Sequence, residues 1–127
     1  AGENPLEHDF LGWSWSRRSA PEKTQILYDV QPLDGPDLKI GKVFHADGKT
    51  QPIDPKIVHK LPSTRWRMPR SIREEEGAKT RLVRTLEDAP FYSRTWLEVE
   101  QGGQVDPVMH ESIQLNFSRR VVSCSWL

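Results

Sequence analysis

The sequence has little cysteine, no long apolar run and no excess of either charge. Its one cysteine, Cys124, excludes an internal disulfide and is compatible with a reducing compartment. No segment approaches the ~20 consecutive apolar residues of a membrane-spanning helix. The 18 basic and 18 acidic residues balance, so charge gives no reason to expect binding to nucleic acid. We therefore expect a cytoplasmic location and no nucleic-acid partner.

Metal ligands and phosphate-binding loops are also lacking. The four histidines are far apart in the sequence, and one cysteine cannot build a thiolate site. Gly102-Gly103 and Asp47-Gly48 are typical of turns, and no phosphate-loop pattern surrounds them. We therefore predict no metal site.

One part of the chain is locally basic. A local cluster of basic residues in a strand is most simply a solvated face. The arginines of this run are Arg65, Arg67, Arg70 and Arg73. We expect them at the surface.

What the sequence has in abundance is period-two alternation of apolar and polar residues, which is typical of β-strands. From residue 10 to 17, for example, Leu11, Trp13 and Trp15 share one side, and small residues take the other. Turn signals separate such segments, and Asp34-Gly35-Pro36-Asp37 predicts a hairpin. We predict about eight strands, over residues 10–17, 23–30, 38–45, 63–72, 79–86, 92–101, 107–117 and from 121 onward.

Three segments between the strands break the alternation. Residues 51–62 contain three prolines, which favours an irregular crossover or an edge piece. Glu74-Glu75-Glu76-Gly77 predicts a solvated hairpin tip, and Asp88-Ala89-Pro90 a bend or bulge. The whole pattern predicts one all-β domain over residues 1–127. Its antiparallel meander closes into a barrel or leaves an incomplete half-barrel.

Several blocks of the sequence carry a family resemblance. They include Trp13-Ser14-Trp15-Ser16-Arg17, Leu27-Tyr28-Asp29-Val30, the Thr-Leu-Glu-Asp-Ala-Pro-Phe-Tyr motif within residues 84–94, and His110-Glu111-Ser112. In these blocks the chain resembles the C-terminal part of bacterial carotenoid hydratases (hydroxyneurosporene synthases). The resemblance implies a lipocalin-like (calycin) fold in a longer protein of two domains.

The sequence departs from this family at its start. Family members carry a His-Asn-Trp-Gly loop just before the segment that matches Pro5-Leu6-Glu7, whereas only Ala1-Gly2 stands there. The lipocalin-like domain that precedes this loop in the family is not in the chain either. We therefore expect a piece of a two-domain protein, or a truncated relative of one.

The reaction that the resemblance implies is the addition of water across a terminal isoprenoid double bond. Protonation of the alkene gives a tertiary carbocation, which water then captures, so neither a metal nor an organic cofactor is required. The protein must supply a carboxylic acid that apolar surroundings keep protonated. It must also supply aromatic faces beside the cation and a group that positions water.

Asp29 is the residue that the resemblance and its place in an apolar strand favour as the acid. The alternative is a strand-end aspartate that caps the next turn. Tyr28 could orient the water or the acid, or could simply belong to the core. Trp13 and Trp15 point the same way and could line a polyene tunnel, although paired aromatics in a barrel are usually packing.

His110 and Glu111 are the remaining candidates for catalysis. Adjacent residues on a strand face opposite sides, so only one of the two can point into a core. Glu111 shares its face with Met109 and would be buried if that face is the core. A buried carboxylate needs a partner or a proton, and Arg84 or Arg94 could be that partner. The alternative to catalysis is a structural ion pair.

Two functions of different classes therefore remain. The first is an enzyme, a cofactor-independent hydro-lyase of the carotenoid hydratase type with a carotenoid or another isoprenoid as substrate. The second is a non-catalytic lipocalin-like subunit that binds an apolar ligand or docks onto a larger membrane-associated assembly. In the second, a protein partner completes the barrel, and association with the membrane is peripheral. The absence of the His-Asn-Trp-Gly loop favours the second.

We predict that the 127-residue chain alone, incubated with an acyclic carotenoid, forms no hydroxylated product, because it lacks that loop. Chromatography with mass detection would measure the product, and a family member that carries the loop would serve as the positive control. Clear turnover by the isolated chain would contradict the prediction.

Overall fold

The computed structural model describes residues 10–115, with side chains from residue 11 onward. This part of the chain consists almost entirely of β-strands joined by short turns. The described strands are β1 (Phe10–Ser19), β2 (Lys23–Pro32), β3 (Leu38–His45), β4 (Thr50–Pro52), β5 (Ile57–Leu61), β6 (Arg70–Glu74), β7 (Lys79–Ala89), β8 (Tyr92–Gln101) and β9 (Gln104–Gln114). The prediction of an all-β fold is confirmed.

Seven of these strands form one open antiparallel sheet. Their order is β4-β3-β2-β1-β9-β8-β7, and β5 and β6 form a separate two-stranded sheet. The pairing of β1 with β9 joins the meander of strands β1 to β4 to the meander of strands β7 to β9, which is distant in sequence. Within the described residues β4 and β7 are the two edges of the sheet. The incomplete half-barrel is therefore the alternative that the fold resembles.

The two faces of the large sheet differ in what covers them. We call the face that carries Ser16, Leu27, Thr95 and His110 the inner face, because the β5–β6 hairpin lies across it. These residues are neighbours in the strand register, and each is buried. We call the opposite face the outer face, and its Trp96 is 42% exposed. The apolar core accordingly lies between the hairpin and the inner face.

The apolar core combines side chains from both sheets. Leu97 and Val108 of the inner face are 0% and 2% exposed, and they pack against Leu61 of β5 and Ile72 of β6. Burial of such side chains stabilises the fold by roughly 1.5–3 kcal/mol each. This cluster fixes the hairpin on the strands β8 and β9.

Two buried arginines also connect the hairpin to the sheet, so the prediction that the basic run lies at the surface is wrong for both. Arg70 is 5% and Arg73 is 4% exposed. Arg70 donates hydrogen bonds from Nη1 to Thr95 Oγ1 at 2.8 Å and from Nε to the Pro62 carbonyl at 2.9 Å. A buried guanidinium needs such partners because its desolvation is costly.

The predicted strand over residues 63–72 is wrong in its first part. The strand β6 begins only at Arg70, and residues 62–69 form a loop. Thr64 explains the loop, because its hydroxyl accepts hydrogen bonds from the backbone of Trp66 and Met68. Met68 is fully buried and Trp66 is 39% exposed, so these two side chains do not share one face of a strand.

The breaks in alternation are explained by turns and edges. Residues 51–62 contain the edge strand β4 and the strand β5. The predicted bend at residues 88–90 lies too early, because Asp88 and Ala89 still pair with β8 and the turn follows at Pro90. The turn after Glu74 connects strands of two different sheets and is not a hairpin tip. The predicted strand from residue 121 lies outside the described residues.

We predict that Leu97→Ala lowers the free energy of unfolding by about 2–5 kcal/mol, because it leaves a cavity under the hairpin. Val105→Ala is a matched control on β9, where the side chain is 54% exposed, and should cost less than about 1 kcal/mol. Urea denaturation followed by tryptophan fluorescence would measure both. Equal losses would contradict the assignment of the core to the inner face.

Candidate active site

A cleft of about 510 Å³ opens between the β5–β6 hairpin and the end of the inner face. Its floor includes Asp29 of β2 and Ser112 of β9, and its roof includes Arg70 and Arg73 of β6. Lys39 lies at its side. The cleft therefore brings two carboxyl groups, those of Asp29 and Asp37, together with several basic side chains.

Asp29 lies on the inner face because the alternation of β2 places it beside Leu27. It pairs with Ser14 of β1 and with Lys39 of β3. The Arg73 Nε atom is 2.7 Å from Asp29 Oδ1, but the N–H is not aligned for a hydrogen bond. The contact is therefore an ion pair rather than a well-formed hydrogen bond.

The protonation of Asp29 depends on two opposing effects. Burial raises the pKa of Asp29 above its ordinary value of 3.8, and the charge of Arg73 lowers it by a smaller amount, so that the net direction is upward. The Asp29 side chain is still 32% exposed, whereas that of Arg73 is 3% exposed. A carboxyl group at such a place keeps its proton more readily than one in water.

His110 is the second predicted site residue on the inner face. It is 1% exposed, and its Nε2 lies 2.9 Å from the Ser71 carbonyl oxygen of β6. Since a carbonyl only accepts, Nε2 carries the proton and donates. Nδ1 is buried without a partner among the described residues.

The environment of His110 keeps its ring neutral. The pKa of His110 is lowered from 6.5 to about 4, mainly by burial; the hydrogen bond to Ser71 opposes this shift, and the nearby charge of Arg70 adds to it. A neutral imidazole with a free Nδ1 can accept a hydrogen bond but cannot act as an acid at neutral pH.

Tyr28 and Glu111 point to the outer face, away from Asp29 and His110. Tyr28 is 42% exposed, and its ring meets that of Trp15 edge-on at 6.3 Å between centroids. Because adjacent strand residues alternate, Tyr28 and Asp29 cannot share a side. The structure therefore does not bring the four predicted catalytic residues into one cluster.

Glu111 does not form the buried ion pair with Arg84 or Arg94 that the sequence analysis predicted. Its face is the outer one, where burial and the charge of Glu111 raise the pKa of Tyr92. Arg94 lies opposite Glu111 in the strand register, but its Nη1 is 3.9 Å from Glu87 instead. Arg84 lies opposite Trp96 on the edge strand β7. Neither predicted partner neutralises Glu111 by an ion pair among the described residues.

The two predicted substrate-binding tryptophans differ in position. Trp13 is among the residues that line the cleft, together with Val30 and Ile113. Trp15 lies two residues further along β1, where its ring contacts that of Tyr28. Residues two apart on a strand face the same side, so the Trp13 side chain lies on the outer face with those of Trp15 and Tyr28, and the alternation does not direct its ring into the cleft.

Arg70 and Arg73 are the site residues that sequence reasoning missed. Both line the cleft, and both are buried. The only signal was the basic run itself, which is far more common on solvated faces. Nothing in the sequence distinguishes these two arginines from Arg65 and Arg67, which are exposed.

Metal ligation and membrane spanning find no support in the part of the chain that the structure describes. No group of three or more His, Cys, Asp or Glu side chains there could hold a metal ion. Residues 10–115 contain no helix that is long and apolar enough to cross a membrane.

Comparison with known proteins identifies the family. The family model described as "Carotenoid hydratase CrtC" matches residues 1–125. The chain belongs to this family. The resemblance read from the sequence blocks is thereby confirmed. No solved structure matches the chain significantly.

The similar curated members of the family are acyclic carotenoid 1,2-hydratases from bacteria. The one from Thiocapsa roseopersicina is 39% identical over 116 residues, which are 91% of this chain and 29% of that protein. The one from Rubrivivax gelatinosus is 35% identical, with 90% and 28% covered. The one from Cereibacter sphaeroides is 33% identical, with 90% and 41% covered. The chain thus spans well under half the length of these relatives.

We predict that His110 makes the fold less stable at mildly acidic pH. Between pH 4 and 6.5 the unfolded chain binds a proton at His110 that the folded chain does not, so stability falls as pH falls through this window. With the pKa lowered from 6.5 to about 4, the full loss is on the order of 3 kcal/mol.

The variant His110→Gln should lose this part of the pH dependence, since glutamine can still donate to Ser71 but does not titrate. His45→Gln is the matched control and should retain it. Urea denaturation at pH 4, 5, 6 and 7 would compare the three proteins. A pH profile of His110→Gln that runs parallel to that of the unaltered chain would refute the assignment.

Proposed function

We propose that this chain carries the proton-donating residue of a carotenoid-hydratase-type hydro-lyase, and that this residue is Asp29. The proposal extends to this chain the activity that the names of its relatives state. The substrate would be an acyclic carotenoid or another isoprenoid with a terminal double bond. The single observation that supports Asp29 is its place at the cleft with a pKa raised by burial.

The chemistry needs one proton and one water molecule. The Asp29 carboxyl group gives its proton to the less substituted carbon of the double bond, and the electron pair of that bond forms the new C–H bond. The tertiary carbocation that results is attacked by water. The oxonium ion then loses a proton, which the Asp29 carboxylate takes back, so the acid is restored and no cofactor is consumed.

Binding of an apolar substrate would itself favour the protonated acid. The Asp29 side chain is 32% exposed in the cleft, and a hydrocarbon placed there removes water from that part. Loss of solvent raises the pKa of a carboxyl group further. Arg73 remains in contact and limits this rise, because a nearby cation favours the carboxylate.

Other residues of the cleft would take supporting parts. Trp13 lines the cleft, but its side chain belongs to the outer face of β1, so we assign its ring no contact with the carbocation. His110 lies deeper than Asp29 on the same face and, being neutral, could hold water by its Nδ1. Tyr28 and Glu111 lie on the outer face, so we assign them no direct contact with a substrate in the cleft.

The alternative function is binding or docking without catalysis. The exposed apolar side chains of the outer face favour it. Several large apolar side chains of this face are about half exposed, among them Tyr28, Ile40, Phe44 and Trp96. Apolar patches of this kind mark contacts with a protein or a membrane surface. A cytoplasmic protein that meets a partner or a membrane through this face would fit the second function.

We predict that Asp29→Asn abolishes hydration of an acyclic carotenoid, with a loss of at least about 10²–10⁴-fold in kcat, because asparagine has no proton to donate. The assay uses the polypeptide that contains this chain as its gene encodes it. Asp37→Asn is the matched control, since Asp37 lines the same cleft but is not assigned the proton.

Circular dichroism of each variant would show that the fold is kept. Near-normal turnover by Asp29→Asn would remove Asp29 from the acid role. Equal losses in both variants would point to the charge of the cleft as a whole, and would also contradict the assignment of the proton to Asp29.

A further inference from the structure

Three buried polar atoms at the candidate site have no hydrogen-bond partner among the described residues. They are Asp29 Oδ1 and Arg73 Nε, which form an ion pair at 2.7 Å without an aligned hydrogen bond, and His110 Nδ1. Most buried polar atoms in folded proteins are hydrogen-bonded, so each exception calls for an explanation. The three residues come from three strands, β2, β6 and β9, yet all three line one small internal void of about 10 Å³.

The void exists because the strand between them carries small side chains. Ser14 of β1 pairs with Asp29, and Ser16 of β1 pairs with His110. The two serines leave open the space above β1 that larger residues would fill. Ser71 and Arg73 of β6 cover it from the hairpin side.

The three atoms match the hydrogen-bonding capacity of a single water molecule. His110 Nδ1 and Asp29 Oδ1 are acceptors, and Arg73 Nε–H is a donor. A water molecule donates two hydrogen bonds and accepts two, so it can satisfy all three atoms and one serine hydroxyl. A polar void with two to four partners and about this volume is the kind that holds an ordered water.

We propose that this void binds one water molecule, which joins the His110 imidazole to the Asp29 carboxyl group and thereby orients the carboxyl group for proton transfer. A water O–H and the Arg73 charge both act on Oδ1, so the acid proton resides on Oδ2. Oδ1 is buried, and the exposed third of the Asp29 side chain therefore belongs to its other atoms. His110 acts here as a positioning residue.

The water site itself rests only on the geometry, while its role in proton transfer rests on the proposed function. A high-resolution crystal structure of the chain tests the first. We expect an ordered water within hydrogen-bond distance of His110 Nδ1 and Asp29 Oδ1. No density at that place, or a protein atom bonded to Nδ1, would overturn the site.

Two substitutions of Ser16 distinguish a void that holds a water molecule from one that is closed by packing alone. Ser16→Val places two methyl groups in the void and should displace the water, whereas Ser16→Ala leaves room for it. Crystal structures of both variants should show the water only in Ser16→Ala. Retention of the water in Ser16→Val would contradict the location. Should Ser16→Val fail to fold, the structures of the unaltered chain and of Ser16→Ala still decide.

The role in catalysis is tested in the polypeptide encoded by the whole gene. Ser16→Val should lower kcat roughly ten- to hundredfold with little change in KM, because a misplaced acid slows the chemical step and not binding. Ser16→Ala should stay close to normal. An unchanged kcat in Ser16→Val, in a protein that Asp29→Asn inactivates, would overturn the positioning role and leave the proposed acid intact.

Discussion

The buried guanidinium of Arg73 holds the two sheets together at the place where the candidate site lies. It contacts Asp29 and Asp54 by ion pairs, and it donates hydrogen bonds to the carbonyl oxygens of Tyr28 and Ile40. These partners belong to β2, β3 and the segment before β5, so one side chain fixes the hairpin across the sheet. A cation with 3% of its side chain exposed must be neutralised locally. Asp29 is therefore a structural counter-ion as well as the proposed acid.

The strands were predictable from the sequence because alternation is a local property. Trp13 and Trp15 share a face with Tyr28 through the register of β1 and β2, as the alternation indicates. Alternation does not show which face is covered. The aromatic face looks like the core, yet the hairpin covers the face of Ser16 and Leu27. That choice is made by contacts between residues far apart in sequence, such as the one between His110 and Ser71.

The candidate site was predictable only in part, for the same reason. The resemblance points to Asp29 and His110, and both lie on the inner face. Their proximity depends on β1 standing between β2 and β9, a pairing that no local pattern shows. The prolines Pro62 and Pro69 bound the loop that delays β6 until Arg70. That delay sets which arginines enter the interior, and a count of charges in the sequence cannot reveal it.

Two opposing effects act on the protonation of Asp29, the acid proposed for this cleft. Arg73 favours the carboxylate, which the fold needs as a counter-ion, while burial favours the protonated form. A fully apolar pocket would hold the proton more firmly, but it would leave Asp54 as the remaining ion-pair partner of Arg73, at a cost in stability. A substrate that excludes water shifts this balance toward the protonated acid only while it is bound. The same pair of residues can therefore stabilise the unliganded fold as ions and supply a proton once a hydrocarbon fills the cleft.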